Sequence, residues 1–271
     1  MKKYIFTLFI IVCVFGVNAQ TRFPVIVIET NLGTMRAILY DDTPLHSQHY
    51  LDLIRRGHFD GTLFHRVINE FMIQGGAQDS RNAPPGFRVG AGRRDMDIPN
   101  EARPHHFHRK GALSAPRRTE NNPDGVSDGS QFFIVHGRPY SHGRLDTLEM
   151  AVNIPIRNAI IREHHIPYRE ELARLREARQ ATAHNALLDS LNFVVDSLDA
   201  IAPGRFFFSE EFRAAYVPHG GARHLDGNYT VFGQVIEGLD VIDRIARQPV
   251  DGNQRPVNDV RIIRIFVEGS Q

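Results

Sequence analysis

The sequence feature that most constrains the fold is the stretch 64–76, which has the sequence FHRVINEFMIQGG. Two short apolar runs flank a polar connector at 69–70, and a pair of glycines ends the stretch. This pattern predicts two short β-strands joined by a tight connection. A cation, an aromatic ring, a thioether and a neutral amide lie within it, at Arg66, Phe71, Met72 and Gln74. The mixture suits a site that holds a polar, uncharged group against an apolar wall.

The rest of the chain is mainly β in pattern. Residues 25–29 and 34–40 are predicted to form a hairpin around the turn at 31–33, and apolar strands are predicted at 111–114, 129–135 and 259–267. A turn at 224–228 leads into another strand. Two helices are predicted, at 44–56 with Thr43 as the N-cap, and at 238–247.

The composition changes between residues 140 and 216. The segment 157–200 is rich in Arg, Glu, Leu and Ala, and the spacing of Leu188, Leu191, Val195 and Leu198 is that of one helix face. This pattern predicts an α-helical insertion at about 142–216. The stripe is expected to pack on a neighbouring helix or on the sheet; the alternative is an exposed groove for an unfolded client.

The first 19 residues are typical of a secretory signal peptide. Lys2 and Lys3 precede an apolar run at 4–17, and small residues at 17–19 predict cleavage before Gln20. The run is shorter than the ~20 residues that span a membrane. We therefore expect residues 20–271 to form an exported, periplasmic protein without a membrane anchor.

Charge and cysteine content exclude several classes of protein. The single cysteine lies inside the predicted signal peptide, so the mature chain has no intramolecular disulfide and depends on its core. The 32 Lys and Arg nearly balance the 31 Asp and Glu. Nucleic acid and anionic membranes are therefore not expected partners.

Residues 105–110, HHFHRK, contain three closely spaced histidines. Imidazole is a common metal ligand, but no acidic or cysteine partner lies nearby at a fixed spacing. We therefore interpret the segment as an exposed, solvated turn and predict no metal or cofactor.

Five motifs together resemble the cyclophilin family of peptidyl-prolyl cis-trans isomerases: FHRVINEFMIQGG, GALSAPR, GSQFFIV, HLDGNYTVFGQV and EGLDVIDRIA occur in the family's order. The resemblance covers most of 24–140 and 218–268, and the insertion lies outside it. It implies a closed, eight-stranded antiparallel β-barrel with a helix capping each end.

The resemblance also implies the site residues. Arg66, Phe71 and Gln74 match the family's catalytic positions, and substrate contacts are implied for Met72, Gln131, Phe133, Leu225, Tyr229 and Arg117. Three positions depart from the pattern of many eukaryotic members: His224 replaces a tryptophan, Tyr229 a histidine and Arg117 an asparagine. These departures predict altered substrate preference and weak cyclosporin sensitivity.

Two functions follow from these observations. In the first, the protein is an isomerase for X–Pro bonds of exported or unfolded proteins, in which Arg66 stabilises the twisted proline nitrogen and the apolar residues hold the proline ring. In the second, it is a proline-peptide binding module or holdase whose helical insertion holds clients. Its oligomeric state is not predicted.

Overall fold

A computed structural model describes residues 23–117 and 121–269, so the predicted signal peptide lies outside the described residues. The strands are β1 (Val25–Thr30), β2 (Gly33–Leu39), β3 (Arg66–Ile68), β4 (Met72–Gly75), β5 (Asp97–Ile98), β6 (Ala112–Ser114), β7 (Ser127–Asp128), β8 (Phe132–Val135), β9 (Val231–Glu237) and β10 (Ile262–Val267). The helices are α1 (Pro44–Arg55), α2 (His142–His165), α3 (Arg169–Glu177), α4 (Ala181–Ile201), α5 (Glu210–Tyr216) and α6 (Leu239–Ala246). The predicted hairpin, the strands of the motifs and both predicted flanking helices are present.

Eight strands form one strongly curled antiparallel sheet in the order β10-β1-β2-β9-β6-β8-β4-β3. The segments beside its two edge strands approach each other at a single bridge, Leu63 with Arg261. Backbone hydrogen bonds accompany it, from Phe64 N to Val260 O at 2.9 Å and from Ile262 N to Thr62 O at 2.8 Å. The eight-stranded antiparallel sheet is confirmed, whereas full closure of the barrel stays a prediction.

The register of β3, β4 and β8 separates two faces of this sheet. Val67, Ile73 and Ile134 lie side by side on the three strands and belong to the main core. Their neighbours in the next row, Arg66, Gln74 and Phe133, are also directly paired. Because successive side chains point to opposite faces of a strand, this second row lies on the face turned away from the main core.

Helices α1 and α6 bury their apolar residues in the same main core. In α1 the ring of Tyr50 stacks on Phe232 of β9, with the ring centroids 4.0 Å apart. In α6 the buried residues Val241, Ile242, Ile245 and Ala246 recur at helical spacing. The sheet is thus held in its curl by two helices packed against one apolar interior.

Glu101, rather than Thr43, caps the start of α1. Thr43 occupies the N-cap position, but its side chain makes no capping hydrogen bond, contrary to the prediction. The buried Glu101 carboxylate accepts from Leu45 N at 3.2 Å, His46 N at 2.9 Å and His46 Nδ1 at 2.7 Å. A carboxylate at this end also complements the positive pole of the helix.

Helices α2–α5 lie between β8 and β9, where the helical insertion was predicted. Leu191 and Val195 of the predicted stripe are buried, Leu188 and Leu198 are half-buried, and α4 packs against α2 and α3. The stripe thus packs on neighbouring helices, as expected. None of the described helices is both long and apolar enough to cross a membrane.

The end of the insertion is attached to the segment that precedes β9. Tyr216 of α5 is fully buried and donates from its hydroxyl to Asp226 Oδ2 at 2.6 Å. The other carboxylate oxygen of Asp226 accepts from the backbone N–H of His108 at 2.9 Å. Nearby, the guanidinium of Arg223 lies 5.3 Å from the ring centroid of Phe208. Insertion residues therefore hold the turn at 223–229.

Replacement of Glu101 tests the assignment of the cap. Glu101→Ala leaves two helix N–H groups and a buried imidazole without their acceptor, so we expect the free energy of unfolding to fall by about 3 kcal/mol. Thr43→Val removes a hydroxyl that caps nothing and should cost about 1 kcal/mol or less. Urea unfolding followed by circular dichroism measures both. A larger loss for Thr43→Val than for Glu101→Ala would contradict this assignment.

Candidate functional site

Three polar side chains form a hydrogen-bonded chain on the outer face of the sheet. Arg66 donates from Nη1 to Gln74 Oε1 at 3.3 Å, and Gln74 donates from Nε2 to Gln131 Oε1 at 2.9 Å. Arg66 is half-buried, and burial lowers the pKa of its guanidinium from the usual value. An arginine remains charged at neutral pH nevertheless. The hydrogen-bonded series of side chains therefore starts from a partly desolvated cation.

Gln131 anchors the other end of this chain. Its side chain is only 3% exposed, and its Nε2 donates to Asp128 Oδ2 at 3.1 Å. The same nitrogen lies 3.4 Å from the carbonyl oxygen of Gly90. With both ends of its amide engaged, Gln131 presents a fixed orientation to Gln74.

Next to the polar chain lies a second apolar cluster, separate from the main core. Its buried members are Met72, Ala112, Phe133, Val135, Ala222, Leu225 and Val231, and Tyr40, Ile68, Phe71 and Tyr229 pack against them. The cluster thus brings together every apolar or aromatic residue that the resemblance assigned to substrate contact. It forms a wall beside the polar side chains, since its member Phe133 is paired directly with Gln74.

Phe71 and Gln74 share the site, although alternation along one regular strand would place residues three apart on opposite faces. The ladders of β4 with β3 and with β8 show no register shift. Phe71 lies in the turn before β4, so the alternation of the strand does not apply to it. Met72 and Gln74 are two residues apart within β4 and share the outer face. No bulge in β4 is therefore needed to bring Phe71 and Gln74 together.

The rim of the wall carries the three departures from the family pattern. The guanidinium of Arg117 lies 4.8 Å from the ring centroid of Tyr229, and its Nη1 donates to Asn228 O at 2.7 Å. The ring of His224 lies 5.1 Å from that of Phe71. Burial lowers the pKa of His224, which favours its neutral form. All nine predicted site residues are thus in one region.

Gln254 belongs to this region but was missed by the sequence analysis. Its Oε1 accepts from Nε of Arg66 at 2.8 Å, and its backbone has a left-handed φ of 66°. A non-glycine residue in this conformation costs about 1–3 kcal/mol and persists where the surroundings impose it. Residues 188 positions apart form this contact, and no local motif signals it.

A cavity of about 610 Å³ lies beside Arg66 and Gln74, between the segments 87–91 and 252–255. His65 also lines it, and burial lowers the pKa of that imidazole to about 4. Its wall is therefore neutral at His65 and positive at Arg66. An extended peptide placed across Arg66 has room on this side and an apolar surface on the other.

The histidine-rich turn is not uniformly exposed, contrary to the prediction. His105 is exposed, but His106 is largely covered and His108 is completely buried. His108 is hydrogen-bonded to Asp226 Oδ1 at 2.9 Å and to Ser114 Oγ at 3.1 Å. The acidic partners absent from the local sequence come from segments distant along the chain.

A sequence model of the family "Cyclophilin type peptidyl-prolyl cis-trans isomerase/CLD" matches residues 25–150 and 206–267. The chain belongs to the cyclophilin family. The match covers both strands of the stretch 64–76, the second apolar cluster and Gln254. It leaves out most of the helical insertion. The protein is accordingly a cyclophilin-type peptidyl-prolyl cis-trans isomerase.

Individual relatives agree with this assignment. The cyclophilin is 28% identical over 244 residues to a candidate peptidyl-prolyl cis-trans isomerase of Staphylococcus haemolyticus, covering 90% of each chain. It is also 28% identical over 251 residues to a candidate bifunctional phosphatase/peptidyl-prolyl cis-trans isomerase of Streptococcus pyogenes, covering 90% of this chain and 38% of that protein.

A solved structure shares the fold. The crystal structure of a cyclophilin-type isomerase from Cryptosporidium parvum, determined in the presence of the dipeptide Ala-Pro, superimposes with a TM-score of 0.51 at 18% identity. The alignment covers 91% of this chain and 99% of that chain.

Replacement of Gln254 by glycine separates positioning from stability. Glycine adopts the left-handed backbone without strain, so stability should be kept or raised, while the acceptor for Arg66 Nε is lost. We expect kcat to fall roughly 10-fold with little change in KM, because one hydrogen bond to a charged group contributes about 1.5–3 kcal/mol. A protease-coupled proline-peptide assay measures both constants.

Arg179→Gly is the matched control, since Arg179 is also a left-handed non-glycine residue, with φ 55°, but lies between α3 and α4 in the insertion. It should leave kcat unchanged. Equal kcat for wild type and Gln254→Gly would show that Gln254 is not a positioning residue for Arg66.

Proposed function

We propose that this cyclophilin accelerates rotation about X–Pro bonds by donating a hydrogen bond from Arg66 to the proline nitrogen. The observation that carries the proposal is the state of the Arg66 guanidinium. Its Nε and Nη1 are held by Gln254 and Gln74, while Nη2 has no hydrogen bond to any residue in the ranges 23–117 and 121–269. A fixed cation with a free donor thus lies at the edge of an apolar wall.

The chemistry of the reaction suits this arrangement. Amide resonance gives an ordinary peptide bond a rotational barrier of about 18–20 kcal/mol, and no covalent bond breaks during the reaction. In the twisted state the proline nitrogen regains its lone pair and accepts a hydrogen bond. A donor that is already oriented stabilises this state more than the planar ground state, and such differential stabilisation accelerates the reaction.

The remaining residues divide between orienting the peptide and holding the proline ring. Gln74 and Gln131 offer amide groups to the peptide's own N–H and C=O groups, while Phe71, Met72, Phe133 and Leu225 enclose the ring. Tyr229 and Arg117 extend the wall at its rim, where the ring hydroxyl and the guanidinium are available to polar neighbours of the proline. The presence of Ala-Pro with the Cryptosporidium relative supports a proline-containing peptide as the ligand.

The sequence of residues 1–19 adds a cellular setting to the proposal. With a leader of this pattern, the natural clients are unfolded proteins outside the cytoplasm that contain X–Pro bonds. Fractionation of cells that express the full chain, followed by N-terminal sequencing of the product, should find Gln20 as the first residue in the exported fraction. Full-length protein confined to the cytoplasm would contradict this setting.

Arg66→Ala tests the proposed mechanism. Loss of a preorganised donor to the transition state typically costs about 10²–10³-fold in rate, and we expect a loss of that size in kcat/KM for an X–Pro peptide. Arg66→Lys keeps the charge without the fixed fork of donors. Its kcat/KM should lie between those of wild type and Arg66→Ala. The measurement is the rate of isomerisation above the uncatalysed background.

Arg264→Ala provides a control for loss of an arginine. Arg264 pairs with Glu29 on an exposed part of the sheet and should leave kcat/KM unchanged. If Arg66→Ala retains the wild-type rate, the proposed mechanism fails.

A second function, the holding of unfolded clients, is favoured by exposed apolar side chains on the insertion. Phe193 and Ile201 of α4 are 73% and 78% exposed, and Met150, Val152 and Ile154 of α2 are exposed as well. Large apolar side chains that remain exposed are available for contact with an unfolded client. These residues lie on helices away from the hydrogen-bonded polar side chains and the apolar wall, so client binding there is separable from catalysis.

The double variant Phe193→Lys, Ile201→Lys tests this function in the full chain. We expect it to suppress aggregation of a heat-denatured test protein at least about twofold less than wild type, because apolar contact area is lost, while kcat/KM for a short peptide is unchanged. Light scattering measures the suppression. The variant Asn192→Lys, Ala200→Lys adds the same charge at neighbouring exposed positions and should behave as wild type. Equal suppression by all three proteins would exclude this face of α4 as a client site.

A further inference from the structure

Asp42, His105 and His106 converge just ahead of helix α1. Nε2 of His105 lies 2.8 Å from Oδ2 of Asp42, and Nε2 of His106 lies 2.7 Å from Oδ1. The three ligand atoms all lie within 4.8 Å of one another. Because Asp42 follows β2 and the histidines lie more than 60 residues later, folding alone creates this group.

Packing fixes the orientation of His106, and a hydrogen bond holds the backbone of Asp42. The ring of His106 stacks on Tyr40 with centroids 4.0 Å apart and planes 8° from parallel, and its side chain is only 12% exposed. Asp42 is held through its backbone, since its carbonyl oxygen accepts from Nε of Arg103 at 3.0 Å. The third member, His105, is 60% exposed. The fold therefore fixes one imidazole and the backbone position of Asp42, while the exposed His105 side chain is free to adjust.

We propose that Asp42, His105 and His106 form a binding site for a divalent first-row transition metal ion, with Zn²⁺ as the reference ion. Two imidazoles and one carboxylate match the ligand preferences of Zn²⁺ and of its neighbours in the series. Metal–ligand distances of about 2.0–2.2 Å require the ligand atoms to be about 3.3 Å apart in a tetrahedral site. The two nitrogen–oxygen distances, 2.8 and 2.7 Å, need to lengthen by only about half an ångström when an ion replaces the two hydrogen-bonding protons.

The site has space for a further ligand. A cavity of about 400 Å³ is lined by Tyr40, His105 and His106 on one side and by Glu211, Ala214 and Ala215 of α5 on the other. Three protein ligands with an open position are the pattern of exchangeable rather than closed structural zinc sites. Because Arg103 brings a positive charge to Asp42, we expect micromolar affinity rather than the tighter binding of structural sites.

The competing explanation is a purely structural one, in which Asp42 accepts hydrogen bonds from the two imidazoles and ties the turn at 103–106 to the start of α1. The two explanations differ in a measurable way. A tie of this kind holds no ion, whereas the proposed site takes up one equivalent and stabilises the folded state by mass action.

The test uses the full exported chain without a polyhistidine tag. Equilibrium dialysis against buffered Zn²⁺, followed by elemental analysis and calorimetric titration, should show one ion bound per chain. His105→Asn, whose side chain is exposed and whose loss does not threaten the fold, should weaken binding at least about 10-fold, and Asp42→Asn should do the same. Zn²⁺ should raise the Tm of wild type but not of His105→Asn.

His142→Asn, His219→Asn is the matched control, because it removes two exposed histidines elsewhere and should bind as wild type does. Co²⁺ should give a ligand-field absorption spectrum with wild type and with this control but not with His105→Asn. Retention of binding by His105→Asn, an equal loss in the control, or no uptake by wild type would each overturn the proposal.

Discussion

The fixed antiparallel register of β4 between β3 and β8 is the constraint on which the site depends. Because Gln74 is paired with both Arg66 and Phe133, the cation, the amide and the aromatic ring are neighbours on one face. The alternate row of Val67, Ile73 and Ile134 anchors the same strands in the main core. A slip of one residue would exchange the two rows and bury the arginine in the apolar interior. Core packing and site geometry are therefore enforced by the same pairing.

Much of the geometry of the site could be predicted from the sequence, because the residues that determine it are close together along the chain. The stretch 64–76 has the alternation, connector and glycine pair of a hairpin. Arg66, Met72 and Gln74 are arranged within β3 and β4 as that hairpin requires. Phe71 was harder to place. Alternation along a strand that includes Phe71 would put it on the face opposite Gln74, but the strand begins at Met72, one residue later than the apolar run suggests.

The features that sequence reasoning missed are contacts between distant segments. Glu101 replaces Thr43 as the cap of α1, and Gln254 orients Arg66 from a turn near the C-terminus. Asp42 reaches the histidines across more than 60 residues. In each case the local sequence gives a polar side chain no evident partner, and its role comes from a partner that only the folded chain supplies. Propensity and periodicity describe the neighbourhood of a residue along the chain, and these partners lie outside it.

Side-chain contacts, and not only the order of the chain, connect the insertion to the site. Tyr216 holds the carboxylate of Asp226, and Phe208 faces the guanidinium of Arg223. Both partners belong to the turn that carries Leu225 and Tyr229 of the apolar wall. The same turn contains His224 and Tyr229, two of the three departures from the family pattern. Because the turn is anchored from outside the sheet by insertion residues, its shape is not set by the sheet alone. The helices of the insertion therefore also support one wall of the site.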